Sequence, residues 1–277
     1  MLRLQEEALP ELPEVQAVVD SLQPATRGRQ IERVRVFRDD FAEPAGAPWH
    51  LAAGRDIVAV RRRAKRIVFD LEGGLSFFAH LGMTGRFSIE RPAVPMVKHT
   101  HVCIELDNGM QLRQSDPRRF GGIVWCGGDA EGDLGPEPLD LRARQLADRL
   151  LRTRRPVKSA LLDQKFIAGL GNIYVDEALH TAGIHPLVAC ASIDRASAGR
   201  LSRSIKTTLR KALRHGGSTL RDYVDANGER GSFQQQHRVY GREGQCCKKC
   251  RGTIKRIVLN QRSTHFCPRC QPEVVQP

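Results

Sequence analysis

Four cysteines fall in two pairs, Cys247-x2-Cys250 and Cys267-x2-Cys270, with residues 251–266 between them. Each pair can close on one soft tetrahedral ion, and four thiolates leave no open coordination position, so the spacing predicts one structural zinc ion. A short basic hairpin of this kind has no core of its own and needs the metal to fold. Cys246 stands beside the first pair as a spare thiol, although the spacing favours Cys247. At the other end, Pro10-Glu11-Leu12-Pro13-Glu14-Val15 sets two carboxylates among prolines just ahead of a helical apolar repeat, a placement suited to a reactive group held against a core. Between them, Gly169-Leu170-Gly171-Asn172 precedes a helix. A glycine turn feeding a helix start offers amides and a favourable dipole to a phosphate, and the same pattern also serves as an ordinary turn between helices.

The bulk composition narrows the partners. Forty-four Lys plus Arg against 31 Asp plus Glu give a net charge of +13, which predicts salt-sensitive attraction to a polyanion. The surplus is clustered and rich in arginine, the residue of forked phosphate contacts, as in Arg61-Arg62-Arg63 with Lys65-Arg66, Arg118-Arg119, and Arg152 to Lys158. Aromatic residues make up only 5%, which excludes a broad base-stacking platform. No apolar run reaches the roughly 18 residues of a membrane span. Glu6, Glu7, Glu11 and Glu14 are the opposite of a secretion leader, so a cytoplasmic protein with reduced thiols is expected. Cys103, Cys126 and Cys190 sit among apolar neighbours and read as small core residues.

These residues need elements to position them. Val15, Val18, Val19 and Leu22 predict a first helix from Pro13 to Leu22. Residues 30–126 alternate short apolar runs with glycine or charge, as in a β-sandwich, and Asn108-Gly109 marks its clearest hairpin. Gly127 to Leu139 reads as a linker. Beyond it the spacing turns helical, with helices expected around Leu146–Leu151, over 160–167, over 173–179, and from Leu201 to a stop at Gly216-Gly217. Residues 224–245 are polar and glycine-rich and read as a mobile loop. The fold class expected is α+β: an N-terminal β-sandwich flanked by helices, then a helical lobe carrying a zinc-ribbon hairpin.

Taken together, the chain resembles the formamidopyrimidine-DNA glycosylase family. The markers occur in the family's order from Pro10 to Gln271: PELPEV, RRAK ending at Lys65, HLGMTG with Met83, KHTHV with His99, DPRRFG at 116–121, LGPEPL, the GLGNIY run, VYGREG and the paired cysteines. The resemblance implies a catalytic sandwich over 10–128, a linker at 129–140, a helix-two-turns-helix domain over 141–236 and a zinc finger over 237–277. It implies a nucleoid-associated protein that binds damaged double-stranded DNA, excises oxidised purines such as 8-oxoguanine and formamidopyrimidines, and then cleaves the strand by β,δ-elimination; nothing in the sequence suggests an oligomer, so a monomer is expected.

It also implies roles for particular residues. Pro10 is the amine nucleophile, Glu11 the proton donor and base, Lys65 the lysine that assists elimination, and Arg262 the zinc-finger arginine on the damaged nucleotide's phosphates, with Arg256 as the nearby alternative. His99, Arg118, Arg154, Lys158 and Asn172 hold the DNA backbone. Since a base must leave the helix to be cut, Met83, Arg118 and Phe120 fill the space it vacates. From spacing alone, Lys65 would read as a solvated cation, and Met83 and Phe120 as core. Within the superfamily, the filling trio favours oxidised purines, and the endonuclease VIII-like branch for oxidised pyrimidines ranks second.

Nine residues precede Pro10. With them attached, its nitrogen is an amide that cannot attack, and the chain would be a non-catalytic lesion binder. The expectation is that residues 1–9 are an extension or a misassigned start. Leu9 then corresponds to an alternative start codon, read as methionine and removed ahead of Pro10.

Overall fold

The computed structural model describes residues 10–220 and 223–273. They form two compact units, one of residues 10–132 together with His215–Ser232, the other of Asp133–Arg214 together with 233–273. The segment His215–Ser232, which follows the longest helix in sequence, thus packs with the amino-terminal unit.

In the first unit, helix α1 (Leu12–Thr26) buries Leu12, Val15, Val18, Val19 and Leu22 along one stripe. Each such side chain contributes about 1.5–3 kcal/mol when withdrawn from water. Nine strands follow: β1 (Gln30–Val36), β2 (Ala42–Glu43), β3 (Arg55–Arg63), β4 (Arg66–Leu71), β5 (Ser76–His80), β6 (Arg86–Glu90), β7 (Thr100–Leu106), β8 (Gln111–Ser115) and β9 (Gly122–Gly127). Hydrogen bonds link them in the order β2-β9-β5-β4-β3-β1-β7-β8-β6. The link between β3 and β1 is brief, Gln30 opposite Asp56 and Ile31 opposite Arg55. On either side of that link the strands turn alternate apolar residues into one shared core, including Ile57, Ile67, Phe69 and Phe77 from one half and Ile31, Ile104, Leu106 and Leu112 from the other. This is the sandwich expected from the alternation. The Asn108-Gly109 hairpin is present, with Glu105 opposite Gln111 as the last pair before the turn.

The second unit contains α2 (Ala143–Leu150), α3 (Val157–Leu162), α4 (Asn172–Ala182), α5 (Arg195–Arg214) and the hairpin β10 (Lys255–Leu259) and β11 (Arg262–Phe266). Helix α4 is buried almost all round, Asp176, Glu177 and His180 included. The helix expected over 160–167 starts and stops earlier, at 157 and 162. Asp163 explains the stop: its side chain accepts the Lys165 amide (2.9 Å) and its carbonyl accepts those of Phe166 and Ile167, a local turn that outcompetes another helical turn.

Candidate active site

Pro10 is buried immediately ahead of α1, and Glu11, only 2% exposed, caps that helix. The Glu11 amide donates to Glu14 Oε2 (2.9 Å), and its carbonyl accepts the first helical bond from Val15 (3.0 Å). Glu14 is equally buried, and its second oxygen accepts the Ser218 amide (2.6 Å), 204 residues along the chain. Tyr223 closes the arrangement by donating its hydroxyl to the Glu14 carbonyl (2.8 Å). Burial first, and then the Glu14 charge, push that phenol far up, so it remains a donor. Gly217 has φ +81, and a Cβ there would strike the Glu14 side chain, so only glycine fits. One carboxylate therefore joins the Pro10-Glu11 segment to residues 217–218. Sequence reasoning missed Glu14, Gly217 and Tyr223, because the only local signal was the Glu11/Glu14 capping spacing.

Lys65 lies in the two-residue turn between β3 and β4, beyond the last pair, Arg63 with Arg66. That hairpin is fastened to α1: Gln23 Nε2 donates to the Val60 carbonyl (2.7 Å), and Arg62 Nε donates to Gln16 Oε1 (3.0 Å). Moving from residue 60 to 62 along β3 moves from residue 23 to 16 along α1. The tip carrying Lys65 therefore points toward the helix end that carries Pro10 and Glu11.

Met83, His99, Arg118 and Phe120 lie on three loops of the same unit. Phe120 is 52% exposed, with the Arg118 guanidinium over its ring at 4.8 Å. Phe120 therefore lies outside the core that composition would assign it to, with its ring available beneath a cation. Met83 is half-buried, and His99 is exposed. Gly82, at φ +56, lies directly on the Phe120–Gly121 peptide, where a Cβ would collide with backbone atoms.

In the second unit, Asn172 is the first residue of α4, and its Oδ1 is buried without a hydrogen-bond partner. Gln164 shapes the preceding glycine turn by accepting the Gly169 amide (2.8 Å) and donating to the Leu170 carbonyl (2.9 Å). Arg154 is exposed. Arg262 is exposed as the first residue of β11, after a turn in which Asn260 and Gln261 both take positive φ. Arg256 is exposed on the opposite strand, across from His265.

Lys158 requires a correction. It is 0% exposed, and its ammonium is bonded to Asp176 Oδ1 (2.6 Å) and to the Ser263 carbonyl (2.7 Å). The other Asp176 oxygen accepts the His265 amide (2.8 Å). An ammonium sealed from water by such partners cannot meet a phosphate. It instead ties α3 and α4 to the strand that carries Arg262. The basic run Arg152 to Lys158 disguised this, since Arg154 is exposed ahead of α3 whereas Lys158, in its first turn, is buried.

Glu177, the neighbour of Asp176, accepts the amides of Arg238 (2.9 Å), Val239 (2.8 Å) and Tyr240 (2.9 Å). Burial pushes its carboxyl up, against the downward pull of the three amides. These bonds anchor the chain leading into the cysteine quartet. The sulfurs of Cys247, Cys250, Cys267 and Cys270 all lie within 4.8 Å of one another. Cys250 and Cys267 are 3.4 Å apart and Cys247 and Cys270 3.8 Å, against the roughly 3.8 Å edge of a tetrahedron with zinc–sulfur bonds of about 2.3 Å. The Lys249 amide donates to Cys247 Sγ and the Gly252 amide to Cys250 Sγ, both at 3.4 Å, and such bonds stabilise thiolates. The Gly252 amide, followed by the neighbouring cysteine sulfurs, pulls the Cys250 thiol below its ordinary value, against the upward push of burial. The four residues fit one zinc ion with no open position. Cys246 is exposed and outside the cluster, while Cys103 and Cys190 are buried as expected and Cys126 partly so.

The chain matches known proteins along most of its length. Residues 9–123 match the "Formamidopyrimidine-DNA glycosylase N-terminal domain", residues 134–224 the "Formamidopyrimidine-DNA glycosylase H2TH domain", and residues 244–272 the "Zinc finger found in FPG and IleRS". The formamidopyrimidine-DNA glycosylase of Cereibacter sphaeroides is 43% identical over 284 residues, covering 95% of this chain and all of that protein. That of Bacillus subtilis is 40% identical, covering 95% of this chain and 99% of that one. Among solved structures, the complex between the Lactococcus lactis Fpg and an abasic site containing DNA superposes with a TM-score of 0.88 at 31% identity, covering 95% of this chain and 100% of that chain. The MutM (FPG) protein of Thermus thermophilus gives a TM-score of 0.85 at 39% identity, covering 96% and 100%.

Proposed function

The chain belongs to the formamidopyrimidine-DNA glycosylase family, and on that premise we propose that it excises oxidised purines, 8-oxoguanine and formamidopyrimidines, through the secondary amine of Pro10. It is a base-excision repair enzyme, a DNA glycosylase with AP lyase activity that acts on damaged double-stranded DNA, and it holds one structural zinc ion. Among the described residues no helix is long and apolar enough to cross a membrane. We place the enzyme in the cytoplasm, at the nucleoid, because its substrate is DNA, and take it to act as a monomer.

The observation that carries the mechanism is the buried Pro10-Glu11 pair at the start of α1, held by Glu14. A terminal amine has a pKa of about 8, so a useful fraction is uncharged at neutral pH. The Pro10 nitrogen bonds to the sugar carbon as the bond to the damaged base breaks, and the proton that the amine gives up leaves with the base. Glu11 delivers a proton to the ring oxygen, the sugar opens, and an iminium joins it to Pro10. The iminium acidifies the neighbouring sugar carbon. Glu11, now a carboxylate, removes a proton there with Lys65 assisting, and the 3′ phosphate leaves. A second elimination releases the 5′ phosphate, and water then frees the amine. Arg262 and Lys65 engage phosphates of the damaged nucleotide; His99, Arg118, Arg154 and Asn172 hold the backbone; Met83, Arg118 and Phe120 fill the vacated stack.

This chemistry requires that the mature chain begin at Pro10, a start supported by the family match from residue 9 onward. The test is the intact mass of the protein from its native host, followed by excision from an 8-oxoguanine duplex. A mass corresponding to Pro10 as first residue, with excision, is expected. A chain that keeps residues upstream of Pro10 and leaves the base in place would instead be a lesion binder.

A further inference from the structure

Asp116 is 0% exposed, and each of its polar groups is bonded to a loop carrying one of the proposed DNA contacts. Its Oδ1 accepts the Thr84 hydroxyl, one residue from Met83, and the Arg118 amide (3.1 Å). Its Oδ2 accepts the Gly121 amide (2.7 Å), next to Phe120. Its own amide donates to the His99 carbonyl (3.0 Å), and its carbonyl accepts the Arg119 amide (3.3 Å) and lies 2.9 Å from His101 Nε2. Asp116 thus reaches the Met83, His99 and Arg118–Phe120 loops together through a single side chain and its own peptide groups.

Resting on the function proposed above, we infer that Asp116 is a positioning residue for base extrusion: its carboxylate keeps the filling loops in register while taking no part in bond breaking. The geometry separates these two tasks. Pro10, Glu11 and Glu14 are organised by α1 and Ser218, whereas the Asp116 carboxylate is bonded to Thr84, Arg118 and Gly121. With enzyme saturating, so that weakened backbone contacts from His99 and Arg118 are overcome, the cost of disordering the cluster falls on substrates whose base must leave a stacked duplex. A sugar that carries no base and has no partner strand leaves no stack to fill.

Asp116→Asn is nearly isosteric but replaces one acceptor oxygen with a donor. Whichever way the amide turns, either the Gly121 or the Arg118 amide loses its buried acceptor. The experiment compares single-turnover excision of 8-oxoguanine from a duplex with strand cleavage at a preformed abasic site in single-stranded DNA, for the wild type, Asp116→Asn and the milder Thr84→Val. The expected result is an excision rate lower by about 10- to 100-fold for Asp116→Asn, with single-strand cleavage within about threefold of wild type. Thr84→Val should show a smaller loss of the same selectivity, and it carries the test by itself if Asp116→Asn does not fold. Equal losses on both substrates, or none on either, would overturn the inference. A wild-type protein inactive on both substrates would instead overturn the function on which it rests.

Discussion

The start of α1 and the cysteine hairpin are the two places where chemistry-bearing residues concentrate, and they are held by different means. Around Pro10 and Glu11, order comes from the chain itself: Glu14 joins the helix cap to Ser218, and Gly217 leaves room for that carboxylate. The hairpin has a core of only Val239, Cys247, Ile254 and Cys267, so its order must come from a metal and from two anchors, Lys158–Asp176 beneath β11 and Glu177 beneath 238–240. The first region should tolerate chelators, whereas the second should not.

Zinc removal is the strongest way to break that comparison. Structural zinc in small fingers contributes about 10–16 kcal/mol. Stripping it should unfold the hairpin and abolish DNA binding. Both tryptophans, Trp49 and Trp125, lie in the sandwich unit, so their fluorescence should be unchanged. Zinc retention should weaken as pH falls, because protons compete for the thiolates. Tryptophan emission that shifts together with zinc loss would erase the distinction between the regions.

The next largest effect belongs to Lys158→Met. It leaves Asp176 as an uncompensated buried charge and should cost about 3–5 kcal/mol of thermal stability. A variant with an unchanged melting temperature and weaker DNA binding would return Lys158 to the phosphate contacts.

A smaller, graded effect concerns His237, near the chain that enters the hairpin. Burial, followed by Lys248, His265 and Arg242, lowers its imidazole to about 4. The unfolded imidazole titrates near 6.5, so between about pH 6.5 and 4 the unfolded state binds the extra proton and stability falls with pH. The loss from this one group is at most about 3 kcal/mol. His237→Phe should flatten that part of a melting-temperature profile, and a profile as steep as wild type would assign the slope to other groups.

The sequence was most readable where partners are close along the chain. The two CxxC pairs, the Asn108-Gly109 turn and the α1 stripe each declare themselves within a few residues, and each is found where spacing placed it. It was least readable where a buried polar group has distant partners. Glu14 with Ser218, Lys158 with Ser263, and Asp116 among three loops are ordinary charged residues in a local window. Lys65 and Lys158 show this most plainly. Both sit in basic runs, yet one occupies a hairpin tip and the other a sealed ion pair, a difference set by the backbone direction at each site. Phe120 is the converse case, an apolar side chain that composition would bury and the Asp116 loop holds out in water.

The central claim is that the amine of Pro10 bonds to the sugar. It is tested most directly by borohydride reduction of the Pro10-initiated protein reacting with 8-oxoguanine duplex DNA, followed by mass mapping of the cross-linked peptide. The account predicts one reduced adduct, on the Pro10 nitrogen. An adduct on Lys65, or none at all, would contradict it.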